Sequence, residues 1–294
     1  RLSRGLGDVY KRQKKYPPDC LILIDYMGPN INIGAKLKRS RNNIPIYYYI
    51  APQEWAWRVG NNSTTNLINF SDKIFAIFKQ EAIFYRRRGG NVSWVGHPML
   101  DLTKKLPSKK FSRTILKLKA NQNILLLMPA SRPQELKYIL PTFLKTAKKL
   151  QLRYPGLLVY IPSCRSIFDE KFRQGLEKYE IKGKVISQQD NSKFMPYIYS
   201  LTKLALCKSG TVNMELALYG IPQIIGYRVS RVTAFIAKRI LNFKVRFISP
   251  VNLLVKKFII PEFVQKNFNE KKIFFKACRP VSYTHLRAHE TVED

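Results

Sequence analysis

The stretch KLALCKSGTVNMELALYGIPQIIGYRV, residues 203–229, holds a strand, a turn, a helix and a second strand in succession. The apolar run KLALCKSG (203–210) ends in Ser209-Gly210-Thr211, a helical segment carrying Glu215 follows, and QIIGYRV (223–229) is apolar again. Continuous apolar strands separated by helix-length segments belong to a parallel sheet covered on both faces. Upstream the same alternation recurs in NILLLMP (123–129), LLVYIP (157–162) and KVIS (184–187), and before those in CLILI (20–24), IPIYYYI (44–50), KIFAIF (73–78) and VSWVG (92–96). Between strands lie amphipathic stretches such as LKYILPTFLKTAKKLQ. Its Leu140, Phe143, Leu144, Ala147 and Leu150 fall at helical spacing with lysines opposite, as a crossover helix requires.

The polar segment LTKKLPSKKFSRTILKLKANQ, around 102–121, separates the two series of strands. With 294 residues, two domains can each bury a core. The predicted class is therefore α/β, with two Rossmann-like domains, 14–105 and 106–280, facing a cleft. Ligands in such sheets bind beyond the carboxyl ends of the strands. The ends, RLSRGLGDVYKRQ (1–13) and VSYTHLRAHETVED (281–294), continue neither periodicity and read as non-native tails, translated adapter scars outside the fold. That reading sets aside His285 and His289, whose spacing would otherwise suggest metal ligands, and leaves His97 as the histidine of the body.

Hydrophobic residues at 45% and charged residues at 24% indicate a folded chain. The 52 Lys+Arg against 19 Asp+Glu give +33, a surplus that draws a protein toward nucleic acid or an anionic membrane. Abundant Lys, Asn and Ile fit a compositional bias equally well. Cys20, Cys164, Cys207 and Cys278 form no CxxC pair, so neither a zinc site nor a disulfide framework is expected. No apolar run has the length of a spanning helix, which predicts a soluble or peripheral protein.

Three places could do chemistry. Asp25 follows CLILI and precedes Gly28-Pro29-Asn30, at a strand end, where it serves either as a catalytic carboxylate or as a turn cap. In MPASRPQE (128–135), Ser131 and Glu135 suit a helix start, while Arg132 beside a helix N-terminus suits a phosphate. In KSGTVNMELALYGIP (208–222), Gly210 permits close backbone approach, Ser209 and Thr211 can donate to a phosphate, and Glu215 lies one turn on, within reach of a sugar diol. An ordinary capped αβ connection explains the same string. Trp55-Ala56-Trp57 reads as a packing feature.

The ordered series IDYMGPN (24–30), APQEWAW (51–57), DKIFAIF (72–78), VGHPMLD (95–101), MPASRPQE, SGTVNMELA (209–217), GYRVS (226–230) and ISPVNLL (248–254) resembles the lipid-A-disaccharide synthase family across 15–266. The resemblance implies a GT-B arrangement whose second domain holds a UDP-sugar and whose first holds an acylated acceptor. It implies that Asp25 is the essential carboxylate and that Arg132 lies near the UDP phosphates. It also makes Asn30, His97, Ser209, Gly210, Thr211, Glu215 and Asn252 substrate-binding. The sequence departs from the family pattern in Pro250-Val251-Asn252, which carries one inserted residue, in Lys79-Gln80-Glu81 in place of Pro-Phe-Glu, and in Ala130 in place of Gly. The N-terminal Gly-Glu-Ser-Gly-Asp-type segment has no counterpart, so the first domain is expected to be incomplete.

The implied reaction joins UDP-2,3-diacylglucosamine to 2,3-diacylglucosamine 1-phosphate, with Asp25 as general base. Arg132 and the donors around 209–211 stabilise the leaving diphosphate. None of the eight aspartates forms a D-x-D pair, so no metal and no cofactor are expected. The resemblance further implies a cytoplasmic protein peripheral on an anionic inner-membrane surface, organellar in a plant or alga, and leaves a homodimer open. Two other classes compete. A non-catalytic nucleic-acid-binding protein would concentrate its basic residues, whereas here they spread over every segment, so no nucleic acid is expected. Another two-domain UDP-GlcNAc enzyme, an epimerase or the peptidoglycan glycosyltransferase, shares the SGT-Glu string but not IDYMGPN or APQEWAW.

Overall fold

The structure, a computed structural model, describes residues 18–39, 44–56, 62–129, 132–230 and 247–282. Both tails up to 17 and from 283, together with Trp57, Ala130, Ser131, His285 and His289, lie outside the described residues. The chain divides into two units, Arg1–Leu102 and Thr103–Asp294.

Unit 1 runs β1 (Leu21–Ile24), α1 (Met27–Arg39), β2 (Ile46–Tyr49), α2 (Asn62–Phe70), β3 (Lys73–Ala76), α3 (Lys79–Arg86), β4 (Val92–Trp94) and α4 (Met99–Leu102). Its strands are parallel in the order β1-β2-β3-β4. Because each strand is added on the same side, right-handed crossovers put α1, α2 and α3 on one face. There Leu23, Ile46, Tyr48, Ile74 and Ala76 pack under Leu37, Leu67, Phe70 and Tyr85. Gly34 admits the Phe70 ring, since a Cβ at that position would stand 2.4 Å from it. Within unit 1 no described helix packs on the opposite face, where Ile22 and Ile24 stay 55% and 54% exposed beside half-buried Tyr47, Tyr49 and Phe75.

Unit 2 begins with α5 (Lys109–Leu116), inside the segment read from sequence as a linker. Its sheet contains β5 (Asn123–Met128), β6 (Leu157–Pro162), β7 (Gly183–Ile186), β8 (Thr202–Lys208), β9 (Gln223–Tyr227) and β10 (Glu262–Val264). The helices are α6 (Pro133–Arg153), α7 (Asp169–Lys178), α8 (Gln188–Leu201), α9 (Val212–Leu218), α10 (Pro250–Val255) and α11 (Glu270–Ser282). All six strands are parallel, in the order β10-β9-β8-β5-β6-β7. The chain starts mid-sheet at β5, moves out to β7, then returns to the other side of β5 as β8 and moves outward again. The strand order therefore reverses between β5 and β8, which opens a crevice at their carboxyl ends. One face packs Leu125, Leu127, Val159, Ile161 and Leu206 against α6, α7 and α11. The other packs Ile124, Leu126, Tyr160, Ala205 and Ile225 against α5, α8, α9 and α10. Gly226 lets the Phe268 ring approach β9 closely, for a Cβ there would stand 2.1 Å from that ring.

Candidate active site

In unit 1 the four parallel strands end on a common edge. Asp25 follows β1. Leu23 is buried under the helices, and strand alternation would carry Asp25 to the same side. Instead Asp25 takes a left-handed backbone (φ 50°) that leaves it exposed. For a residue with a Cβ that conformation costs on the order of 1 kcal/mol, and backbone bonds hold it in place. The Asp25 N–H donates to the Tyr49 carbonyl (3.0 Å). The Asp25 carbonyl accepts from the Tyr48 hydroxyl (2.7 Å) and from Asn30 Nδ2 (3.1 Å), which also donates to the Ile24 carbonyl (2.8 Å). Among the described hydrogen bonds none reaches the Asp25 carboxylate, so the turn-cap alternative has no counterpart here. The neighbouring strand ends alike, with Ile50 at φ 58°.

His97 follows β4, three strands from Asp25, or about 14 Å at ordinary strand spacing. Its Nδ1 accepts from the Met99 N–H (3.1 Å), which places the proton of the neutral ring on Nε2. Burial lowers its pKa. The ring lies 5.2 Å from Phe78, itself 6.1 Å from Trp55, so APQEWA contributes to an aromatic row along this edge. Unit 1 thus brings Asn30 to Asp25 but keeps His97 apart from them.

Two carboxylates on this edge were given no role of their own in the sequence reading. Glu81 is fully buried, and its Oε2 accepts from the Ile77 and Phe78 N–H groups (3.2 and 3.3 Å). Burial pushes its pKa up to about 7 against those bonds. Glu54 is buried as well, with its pKa raised by burial and partly offset by Arg88. The signal for Glu81 was its place three residues after Phe78 in a helix start; for Glu54, flanked by Gln53 and Trp55, there was none.

In unit 2 the residues gather at the switch point. Arg132 is the N-cap of α6 and faces Tyr227, the last residue of β9, and Arg228 across a cavity of about 530 Å³. The Tyr227 pKa is raised by burial first and by Glu135 next, with Arg132 opposing. Glu135, expected to cap its own helix, instead accepts from Lys208 Nζ with both oxygens (2.8 and 2.9 Å), tying the start of α6 to the end of β8.

After β8, Ser209 Oγ donates to the Ile248 carbonyl. The Gly210 N–H is taken by Asn213 Oδ1 (2.9 Å). Thr211 begins α9 exposed and without a side-chain cap bond. Fully buried Asn213 is the inward anchor of this turn, donating also to the Lys208 carbonyl and to Gln223 Oε1, both at 3.2 Å. Glu215 is hydrogen-bonded to Tyr199, and burial raises its pKa against that bond. Asn252 is fully buried, its amide donating to the Ile260 carbonyl and Glu262 Oε1 (both 2.7 Å) and accepting from the Ile259 and Ile260 N–H groups. Glu262 in turn accepts from the Ile248 and Ser249 N–H groups. Ser209 and Asn252 therefore meet through the 248–249 segment.

A sequence profile described as Lipid-A-disaccharide synthetase matches residues 2–293. A Lipid-A-disaccharide synthase of Prochlorococcus marinus is 51% identical over 293 residues, covering 100% of this chain and 74% of the relative. One from Gloeothece citriformis is 39% identical over 269 residues, covering 90% and 69%. Among solved structures, the UDP-GlcNAc 2-epimerase of Neisseria meningitidis bound to UDP-GlcNAc superposes with a TM-score of 0.57 at 12% identity, covering 94% of this chain and 71% of that one. At that identity the likeness concerns the fold alone.

Proposed function

The chain belongs to the lipid-A-disaccharide synthase family, and from that premise we propose how its residues join two acylated glucosamines. The donor is UDP-2,3-diacylglucosamine and the acceptor 2,3-diacylglucosamine 1-phosphate. The acceptor 6-hydroxyl attacks the donor anomeric carbon, its proton passes to the Asp25 carboxylate, and the bond from that carbon to the UDP oxygen breaks. The products are a β-1,6-linked disaccharide and UDP. The observation that carries this reading is the exposed carboxylate of Asp25, turned out of the core at a strand end.

In unit 2 we assign the nucleotide-binding groups. Arg132 at the head of α6 and the Thr211 hydroxyl at the head of α9 flank the crevice of a reversed strand order, where a diphosphate's departing charge needs donors. Glu215 takes the ribose diol, with Tyr199 fixing its rotamer. Ser209, Gly210 and Asn252 act by shaping the backbone around the nucleotide, because their polar groups are engaged within the protein. His97 offers its Nε2–H to the acceptor. The +33 charge and the acylated substrates favour peripheral attachment to an anionic membrane surface, and no described helix is long and apolar enough to cross a membrane.

Asp25→Asn tests the assignment. It keeps size and shape but removes the base, so turnover should fall roughly 10²-fold or more while UDP affinity holds. A folded variant with near wild-type turnover would sink it.

A further inference from the structure

The Asp25 carboxylate faces outward only because its backbone is left-handed, so whatever holds that backbone controls the base. We infer that Tyr48 is a positioning residue for the transfer reaction, acting with Asn30 on the Asp25 carbonyl. The inference rests on the reading of Asp25 as the base.

Tyr48 sits on β2 directly opposite Leu23 and is completely buried. Its ring packs 6.2 Å from Phe70, beneath α2. A buried hydroxyl must find a partner, and this one reaches past the end of β1 to the Asp25 carbonyl at 2.7 Å. Asn30, on the first turn of α1, donates to that oxygen at 3.1 Å. Two donors from different elements thus converge on one carbonyl, and the Asp25 N–H is tied to Tyr49 on the same strand as Tyr48. Rotation of the Asp25 backbone to an extended conformation would break the convergence and carry the carboxylate toward the buried side occupied by Leu23. Tyr48 touches the carbonyl and not the carboxylate, so it governs where the base points.

This predicts a specific kinetic pattern. Tyr48→Phe keeps the ring and its packing and removes the hydroxyl. Turnover should drop about tenfold, the scale of one lost hydrogen bond, with KM and the pH dependence of kcat unchanged. In an Asp25→Asn background the same change should have no further effect, because a residue that works only through Asp25 has nothing left to position. Asn30→Ala, which removes the other donor, should repeat the pattern and serves if Tyr48→Phe folds poorly.

Wild-type turnover in both Tyr48→Phe and Asn30→Ala, or a loss that adds fully to that of Asp25→Asn, would overturn the positioning role while leaving the base assignment intact. Wild-type turnover in Asp25→Asn itself would remove the base assignment, and the inference with it.

Discussion

Glu81→Gln should convert unit 1 from a pH-sensitive to a nearly pH-insensitive fold. Glu81 is wholly enclosed, and one of its carboxylate oxygens accepts two backbone N–H groups. Burial holds its pKa near 7 against an ordinary 4.5. Between those values the folded chain keeps a proton that the unfolded chain has released, so unfolding free energy must fall as pH rises through that window. At 1.36 kcal/mol per pH unit the loss amounts to about 3 kcal/mol, and full burial leaves no solvent to screen it. Glutamine retains an acceptor for Ile77 and Phe78 and carries no charge. At pH 4 variant and wild type should agree within about 1 kcal/mol, both being neutral there. At pH 8 the variant should be the more stable by about 3 kcal/mol.

The tryptophans make the measurement selective, since Trp55, Trp57 and Trp94 are the chain's three and all belong to unit 1. Urea unfolding followed by their fluorescence at pH 4, 6 and 8 gives the curve. A weaker slope persists in the variant because burial also raises the pKa of Glu54. Parallel stability curves for the two proteins across pH 4.5–8 would refute the reasoning.

Gly226→Ala should cost about 1–3 kcal/mol, because the new methyl meets Phe268 at 2.1 Å and Phe143 at 2.9 Å; a melting curve that does not move would contradict the close approach of those two rings to β9. UDP binding measured by calorimetry should be unaffected by EDTA yet weaken about tenfold or more in Arg132→Ala; loss of binding on chelation would reject a site built from side chains alone. Attachment to anionic vesicles should weaken from low to high salt, as basic residues contribute roughly 1 kcal/mol each near a charged leaflet; salt-independent sedimentation would point to an apolar origin.

Most strands of both units were legible because each carries a continuous apolar run of the kind a parallel sheet demands, although in unit 1 the described helices cover only one face. β10 was not, being three residues long and half-buried, with too few side chains to establish a period. α5 was hidden by its composition: the lysines and arginine of KKFSRTIL read as linker, although Ser108 caps it and Leu116 is buried. At the candidate site, position after a strand located Asp25, Arg132 and the 209–211 turn. What stayed hidden was the direction in which each polar group points. Nothing in KSGTVNME distinguishes Asn213, which holds the turn from within, from Thr211, which faces out. Lys208 and Glu135 stand 73 residues apart, so their pairing needed the strand order.

Those directions separate two kinds of work within the same short strings. A side chain whose donors and acceptors are already taken has little left for a ligand, since binding would first break a satisfied buried bond. By that criterion Asn252, with two donors and two acceptors all matched, holds the 248–262 loop in place. Asn30 spends both amide hydrogens on the carbonyls beside Asp25, and Ser209 ties the turn after β8 to that same loop. Asp25, Arg132 and Thr211 are exposed, and among the described bonds their side-chain polar groups have no protein partner. Substitutions at the first group should therefore act through geometry and be softened by residues that restore the same bond. On the proposed function, substitutions at the second should take away a charge or donor that meets the substrate, and no change elsewhere in the fold can replace it.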